Sequence, residues 1–270
     1  MRAMRRGGFT LIEVIIAIAI ISILASMAVP YAAKLIDMSR EESTRKEMEE
    51  IYNAISGDPK VPTSGFAGDV GRLPASIAQL NVRTTPPLPA PPQGGAGGGL
   101  LGVKIGWYGP YVNSGFDAQG YLNDAWGTAY AYGNPGTGQI RSAGPDRTIG
   151  NADDLIYPPF PVTITGRLLV NLYVWDNTAG QYLLNPQPAA FPQMTATVTY
   201  YYSNNGSQAT AAVVLPPAAG PPYSFNGFHA GMHAITGVCR LSLAAPAVSG
   251  QAVAYVPGNN QQAQLSLYLR

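Results

Sequence analysis

The stretch FTLIEVIIAIAIISILASMAV, residues 9–29, decides how the rest of the chain is read. Its only polar members are Thr10, Glu13, Ser22 and Ser26. At roughly 1.5 Å per residue, a helix of this length crosses the about 30 Å hydrocarbon layer of a membrane. Arg2, Arg5 and Arg6 precede it closely, so the positive-inside bias keeps the N-terminus in the cytoplasm and carries the rest of the chain across. Two readings compete for the span: a secretory signal peptide cut at Ser26-Met27-Ala28, and a retained anchor. Glu13 favours the anchor. A carboxylate inside an apolar span costs about 2.5–3.5 kcal/mol on insertion scales, so an intramembrane acid is read as a functional residue awaiting a partner.

Working outward, charge concentrates at the front. The 270 residues carry 16 Lys+Arg against 15 Asp+Glu, a net charge of +1, which supplies no electrostatic footprint for nucleic acid. Residues 1–60 hold half of the basic groups and about half of the acidic ones. The rest of the chain is nearly neutral and rich in Gly, Pro, Thr, Asn and Tyr, the composition of strands and tight turns. The single cysteine, Cys239, excludes an intrachain disulfide and a Cys-rich zinc module. With two histidines, His229 and His233, and no glutamate after Glu50, the usual acid/base groups are scarce, so the chain is not expected to be an enzyme.

Beyond the span, Met48-Ile51-Tyr52-Ile55 forms an apolar stripe at helical spacing that can lie on a sheet. Glu41-Arg45 and Glu42-Lys46 are i,i+4 pairs in the favourable order. One helix from about Phe9 to Ser56 is expected, ended by Gly57-Asp58-Pro59 and weakened locally at Pro30, which removes a backbone donor. Pro74 is expected to open a short helical turn through Leu80. Thr85 to Gly99, with its many prolines and glycines, reads as a mobile loop.

Gly8-Phe9-Thr10-Leu11-Ile12-Glu13 resembles the class III leader junction of type IV pilins and type II secretion pseudopilins. The resemblance implies that prepilin peptidase removes residues 1–8, cutting between Gly8 and Phe9, and N-methylates Phe9. Glu13 is then the assembly residue and Pro30 the helix-loosening proline of the family. Cleavage would leave an α-ammonium at Phe9 with no partner of its own in lipid. Glu13 of a neighbouring copy supplies one: opposite charges about 4 Å apart are worth roughly 4 kcal/mol at an effective dielectric near 20, comparable with the cost of burying the acid. The alternative is that Glu13 snorkels to the interface.

Gly109-Pro110-Tyr111, then Asn123-Asp124-Ala125-Trp126-Gly127-Thr128-Ala129-Tyr130, then Ser142-Ala143-Gly144-Pro145-Asp146 resemble, in that order, the major G-type pseudopilin of type II secretion. That likeness covers residues 9–158, with Ala125 and Arg147 as departures. The loop Ser142 to Leu155 gathers Asp146, Asp153 and Asp154. Clustered carboxylates repel unless a cation or hydrogen bonds compensate, and Ca²⁺ takes six to eight oxygen ligands. Spacing alone leaves an ordinary Asp/Gly turn loop equally open, and Arg147 offers a cation without metal. The resemblance implies a Ca²⁺ site built from Asp146, Asp153, Asp154 and the carbonyl of Ala143.

After Pro158-Pro159, seven short strand-like runs alternate with turns, as in Leu168/Val170/Leu172/Val174 and Leu265/Leu267/Leu269. Thr163 to Trp175, with Phe225 to His233, resembles transthyretin-like or carboxypeptidase regulatory-like sandwiches; an Ig-like sandwich is the alternative. His229 and His233 are not expected to share a metal, and Cys239 reads as a buried small apolar residue. Tyr200, Tyr201 and Tyr202 alternate in a strand, leaving at least one ring for solvent or a partner.

The expected fold is α+β, a long N-terminal helix packed on a small antiparallel sheet and followed by an all-β antiparallel sandwich. The expected segments are 1–8 leader, 9–56 membrane and stem helix, 57–158 head, and 159–270 sandwich. The expected role is a filament subunit of a type II secretion pseudopilus, anchored in the inner membrane with its body in the periplasm. Its partners would be further copies of itself, prepilin peptidase, other pseudopilins, the inner-membrane assembly platform and exoprotein cargo. The alternative is a type IV pilin or minor tip subunit whose sandwich binds cargo or a surface.

Overall fold

The computed structural model describes residues 10–58, 65–83, 100–112, 120–133, 137–215 and 223–270. The leader, Gly8, Phe9 and the loop Thr85 to Gly99 lie outside the described residues.

Helix α1 (Leu11–Ser56) is 46 residues long and runs through Pro30. Its N-terminal part is long and apolar enough to cross a membrane, with a mean hydropathy of 2.7 over its most apolar window, and that window is wholly exposed in the single chain. The helix ends at Gly57, whose φ of 87° is a conformation L side chains rarely adopt.

The C-terminal half of α1 is where the chain begins to bury a core. Met48, Ile51 and Ile55 are buried, as the stripe predicts. They pack with Phe66 and Val70 of helix α2 (Gly65–Val70), with Ile77 and Leu80, and with Trp126, Tyr130, Ile140 and Leu155. The last two lie on a three-stranded antiparallel sheet of β1 (Ala131–Tyr132), β2 (Ile140–Ser142) and β3 (Leu155–Tyr157). The turn expected at Pro74 starts later: Pro74 is not helical, and only Ile77–Leu80 forms a 3-10 turn.

A second core, sharing no residue with the first, holds the C-terminal body together. One sheet runs β10 (Val248–Val256), β9 (Gly231–Arg240), β6 (Thr195–Asn204), β7 (Ser207–Leu215), all antiparallel. The other runs β11 (Gln262–Leu269), β4 (Thr165–Asp176), β5 (Gln181–Leu184), with β8 (Tyr223–His229) also paired to β4. Leu168, Val170, Leu172 and Val174 alternate inward from β4 and meet Val198, Ile235 and Cys239 of the opposite sheet. One pair departs from the antiparallel expectation: β11 lies parallel to β4, with Gln262 opposite Arg167 and Leu269 opposite Val174. Side-chain alternation fixes which face of a strand is buried, but not which way its neighbour runs, so the sequence pattern carries no sign of this. Ser249 and Arg270 exchange backbone hydrogen bonds, joining β10 to the end of β11 and closing one side of the body.

The two cores meet through closely approaching backbones. A Cβ on Gly71 would fall 1.9 Å from the Ser203 carbonyl oxygen, and one on Gly231 2.6 Å from the Gly68 Cα. Gly206 N–H donates to Val70 O at 2.7 Å, and Asn259 Nδ2 donates to the Tyr52 hydroxyl at 3.0 Å.

Candidate functional site

At the start of α1, Thr10 and Glu13 form a reciprocal cap. Glu13 N–H donates to Thr10 Oγ1 at 3.3 Å, and Thr10 N–H donates to Glu13 Oε2 at 3.4 Å. The spacing Thr-x-x-Glu is the sequence signature of such a box, a role for Glu13 that neither the pairing nor the snorkelling reading contains. Both bonds are long and exposed, so they are weak, and they leave the carboxylate reachable from outside the chain. Pro30 withholds the N–H that would meet the Ser26 carbonyl, while the Ser26 hydroxyl donates to Ile23 O at 2.7 Å.

The hairpin motif Asp124-x-Trp-Gly-x-x-Tyr130 clasps the stem. Trp126 Nε1 donates to Asp37 Oδ1 at 3.3 Å, Tyr130 OH to Glu47 Oε2 at 2.8 Å, and Ala125 N–H to the buried Thr44 Oγ1 at 3.2 Å. Burial pushes the Glu47 carboxyl above its ordinary range, against the opposing pull of the Tyr130 hydrogen bond. Asp124 organises the hairpin. Its Oδ1 accepts from Trp126 N–H at 3.0 Å and Thr128 N–H at 2.8 Å, and its Oδ2 accepts from the Ser142 hydroxyl at 2.6 Å. The motif is visible in the sequence, but the role of Asp124 is not, because its Ser142 partner lies on another element. On the stem surface Arg45 pairs with Glu41 at 2.8 Å and Arg40 with Asp37 at 3.6 Å; the expected Glu42-Lys46 pair is not formed among the described residues.

The loop of three aspartates is organised largely by its own donors. Asp146 accepts from Thr148 N–H at 2.7 Å and from the Asn151 amide. Asp153 Oδ2 accepts from Asp146 N–H at 3.4 Å. Asp154 Oδ2 accepts from Gly150 N–H at 2.8 Å and pairs with Arg141 at 3.3 Å, so the cation facing an acid is Arg141 rather than Arg147. Ala143 is fully buried beside these residues. Among the described residues no trio of His, Cys, Asp or Glu is gathered to hold a metal. One atom stays unsatisfied: the buried Oδ1 of Asp154 has no hydrogen-bond partner.

His229 and His233 lie on either side of the β8–β9 turn, the first ring on Tyr202 and the second edge-on to Phe228. His233 Nε2 lies 2.6 Å from His229 O, and burial lowers the His233 pKa to about 4. Cys239 is buried and burial pushes its thiol up to about 11, the state of an inert core thiol. Tyr200 and Tyr202 stack on each other, with Tyr202 also stacked on His229. A cleft of about 660 Å³ opens between the stem and the second body, lined among others by Glu50, Asp69, Lys104 and Tyr111. There Tyr111 OH donates to Asp69 Oδ2 at 3.0 Å and accepts from Tyr108 N–H at 2.9 Å.

An apolar anchor helix with an acid in its first turn, clasped further along by a small sheet, defines a membrane-anchored α+β protein. The prokaryotic N-terminal methylation motif matches residues 3–29, the segment in which the chain is similar to type IV pilins and pseudopilins. It is similar to the type IV major pilin protein PilA of Myxococcus xanthus (strain DK1622), 32% identical over 103 residues. That likeness takes in 33% of this chain and 47% of the pilin, so the chain spans about half the length of that relative. It is also similar to the type II secretion system core protein G of Pectobacterium carotovorum subsp. carotovorum, 27% identical over 158 residues, or 56% of this chain and 83% of that protein. No solved structure matches.

Proposed function

We propose that the chain is a structural subunit of a type II secretion pseudopilus, a filament assembled from the inner membrane that drives exoprotein export. The observation that carries this reading is the exposed apolar surface of α1, where Ile12, Ile16, Ile20 and Ile23 are all more than half exposed. Lipid covers that surface in the stored subunit, and the helices of neighbouring copies cover it in a filament. Prepilin peptidase frees Phe9, and the new ammonium takes the Glu13 carboxylate of the next copy as its partner. Exchange of the long bond from the neutral Thr10 N–H for one from a cationic ammonium favours that transfer. The body then lies in the periplasm with other pseudopilins, the assembly platform and exoproteins as partners, and the role is mechanical rather than enzymatic.

Calcium binding by Asp146, Asp153, Asp154 and the Ala143 carbonyl is part of the proposal. Its support is the unpartnered Oδ1 of Asp154, a buried anionic oxygen of the type a hard cation takes. The bonded carboxylate oxygens of Asp146 and Asp153 accept one hydrogen bond each and keep a second lone pair for the ion. Calcium should raise the melting temperature of the chain and Asp146→Ala should abolish the rise; an unchanged melting temperature discards the site.

A second reading, a type IV pilin or minor tip subunit, is favoured by the size of the C-terminal body and by the pilin relative. Quantitative cross-linking in cells separates the two. Many copies along a short periplasmic fibre support the pseudopilus, and surface fibres or a few copies at a tip support the pilin reading. Glu13→Gln should leave the subunit in the membrane and stop its cross-linking into polymers; polymers at the normal yield contradict the filament mechanism.

A further inference from the structure

The outer face of the β11–β4–β5 sheet carries an aromatic cluster that belongs to neither hydrophobic core. Water-facing positions of a sheet covered on one side are ordinarily polar. Here Tyr173, Trp175, Tyr182 and Tyr268 share that face, on the side opposite the inward Leu172 and Val174. Tyr173 and Tyr268 stack with centroids 4.5 Å apart and planes 16° apart. Tyr182 stands edge-on to both Tyr268 and Trp175, at 5.5 and 5.0 Å. Tyr268 remains 53% exposed and Leu184, opposite Tyr173 on β5, 57% exposed, so this is an open aromatic platform rather than a sealed minor core.

The chemistry around the rings selects the ligand. Along β11 the same face continues as Gln264 and Ser266, both exposed, with Asn171 alongside on β4. Amides and hydroxyls both donate and accept, the capacity needed to meet the hydroxyls of a polyol. The two charged side chains at the ends are both cations. Arg270 lies over the Trp175 ring at 4.9 Å, and Arg167 Nε is fixed by Asn226 Oδ1 at 2.8 Å. Neither is in an ion pair with a side-chain carboxylate among the described residues. Asp176, next to Trp175, has the opposite strand parity and turns its Oδ1 to the N–H groups of Thr178 and Ala179. The strip from Arg167 to Trp175 is about 26 Å long at a rise near 3.3 Å per residue, enough for several sugar units in a row.

We propose that this face binds an acidic polysaccharide. Tyrosine and tryptophan rings stack on the C–H faces of successive sugars, amides and hydroxyls meet their hydroxyl groups, and Arg167 and Arg270 meet carboxylates along the chain. Charge complementarity favours this occupant over a second copy of the chain, because the face carries two cations and, among the described residues, no side-chain carboxylate paired with them. The inference stands independently of the filament reading. It concerns only what the second body holds.

The test is affinity electrophoresis of the full chain in detergent, through gels containing polygalacturonate or, as the neutral comparison, dextran. Retardation by polygalacturonate and not by dextran is expected, with a loss of at least about tenfold in affinity for Tyr182→Ala and for Arg270→Gln. Arg270→Gln leaves the aromatic packing in place, so its loss of binding at an unchanged melting temperature cannot be attributed to unfolding. Absence of retardation, equal retardation by dextran, or unaltered binding by both variants overturns the proposal. So does a change of oligomeric state in Tyr182→Ala without any polysaccharide binding, which would make the face a contact between copies.

Discussion

Asp124 concentrates more of the head's stability than its single charge suggests. Three donors converge on its two oxygens, and with 5% exposure it is shielded from water that would otherwise replace them. Hydrogen bonds to charged groups contribute about 1.5–3 kcal/mol each, and buried donors left unpaired add their desolvation cost. Asp124→Ala should therefore lower the unfolding free energy by about 3–5 kcal/mol, read from urea denaturation of the detergent-solubilised chain. A loss below about 1 kcal/mol would mean that water takes over the three donors. At His233, 2% exposed, burial opposes protonation and outweighs the backbone hydrogen bonds at His229 and Tyr201 that favour it. Its folded pKa of about 4 lies below the ordinary 6.5, so between these values the unfolded chain binds the extra proton. The stabilisation is complete above about pH 6.5 and is lost as pH falls through 4, amounting to about 3 kcal/mol. Thermal melts across this range should show that decline, and His233→Gln should flatten it; identical slopes would remove His233 as its source.

Helix α1 is the most legible element, because its span and its stripe are both written at helical spacing. Met48, Ile51 and Ile55 are buried where the spacing puts them, whereas Tyr52 sits at the edge and reaches Asn259 on the other body. Ile51→Ala should cost about 2–5 kcal/mol through lost burial and the cavity left behind, measured by chemical denaturation. A cost below about 1 kcal/mol would mean that the stem and the sheet do not form one core. Strand β5, Gln181–Leu184, is hidden in the sequence because four residues with exposed ends give no inward-outward rhythm. Strand β8 reads only as a lead-in to a strand, since Asn226 and Gly227 interrupt its apolar residues. The acidic loop is legible as composition only. Which oxygen meets Arg141 and which is left unpaired depends on the fold around Gly144 and Gly150, both at positive φ.

At the scale of the molecule, one end is an exposed apolar helix long enough to cross a membrane, and the other is a two-sheet body fixed on the head by abutting glycines. Gly71 and Gly231 leave no room for a side chain against Ser203 and Gly68. Gly71→Val should loosen the seam, giving faster proteolysis between residues 158 and 165 while each core stays folded; unchanged cleavage would show that the seam does not hold the bodies together. What α1 does rests on how the chain is processed. Intact-mass and N-terminal sequencing of the chain purified from membranes tests this most directly. The account predicts a mature protein that starts at Phe9 with one added methyl group. A protein that starts after Ala28, or one that keeps Met1 to Gly8 in cells with an active peptidase, would contradict it.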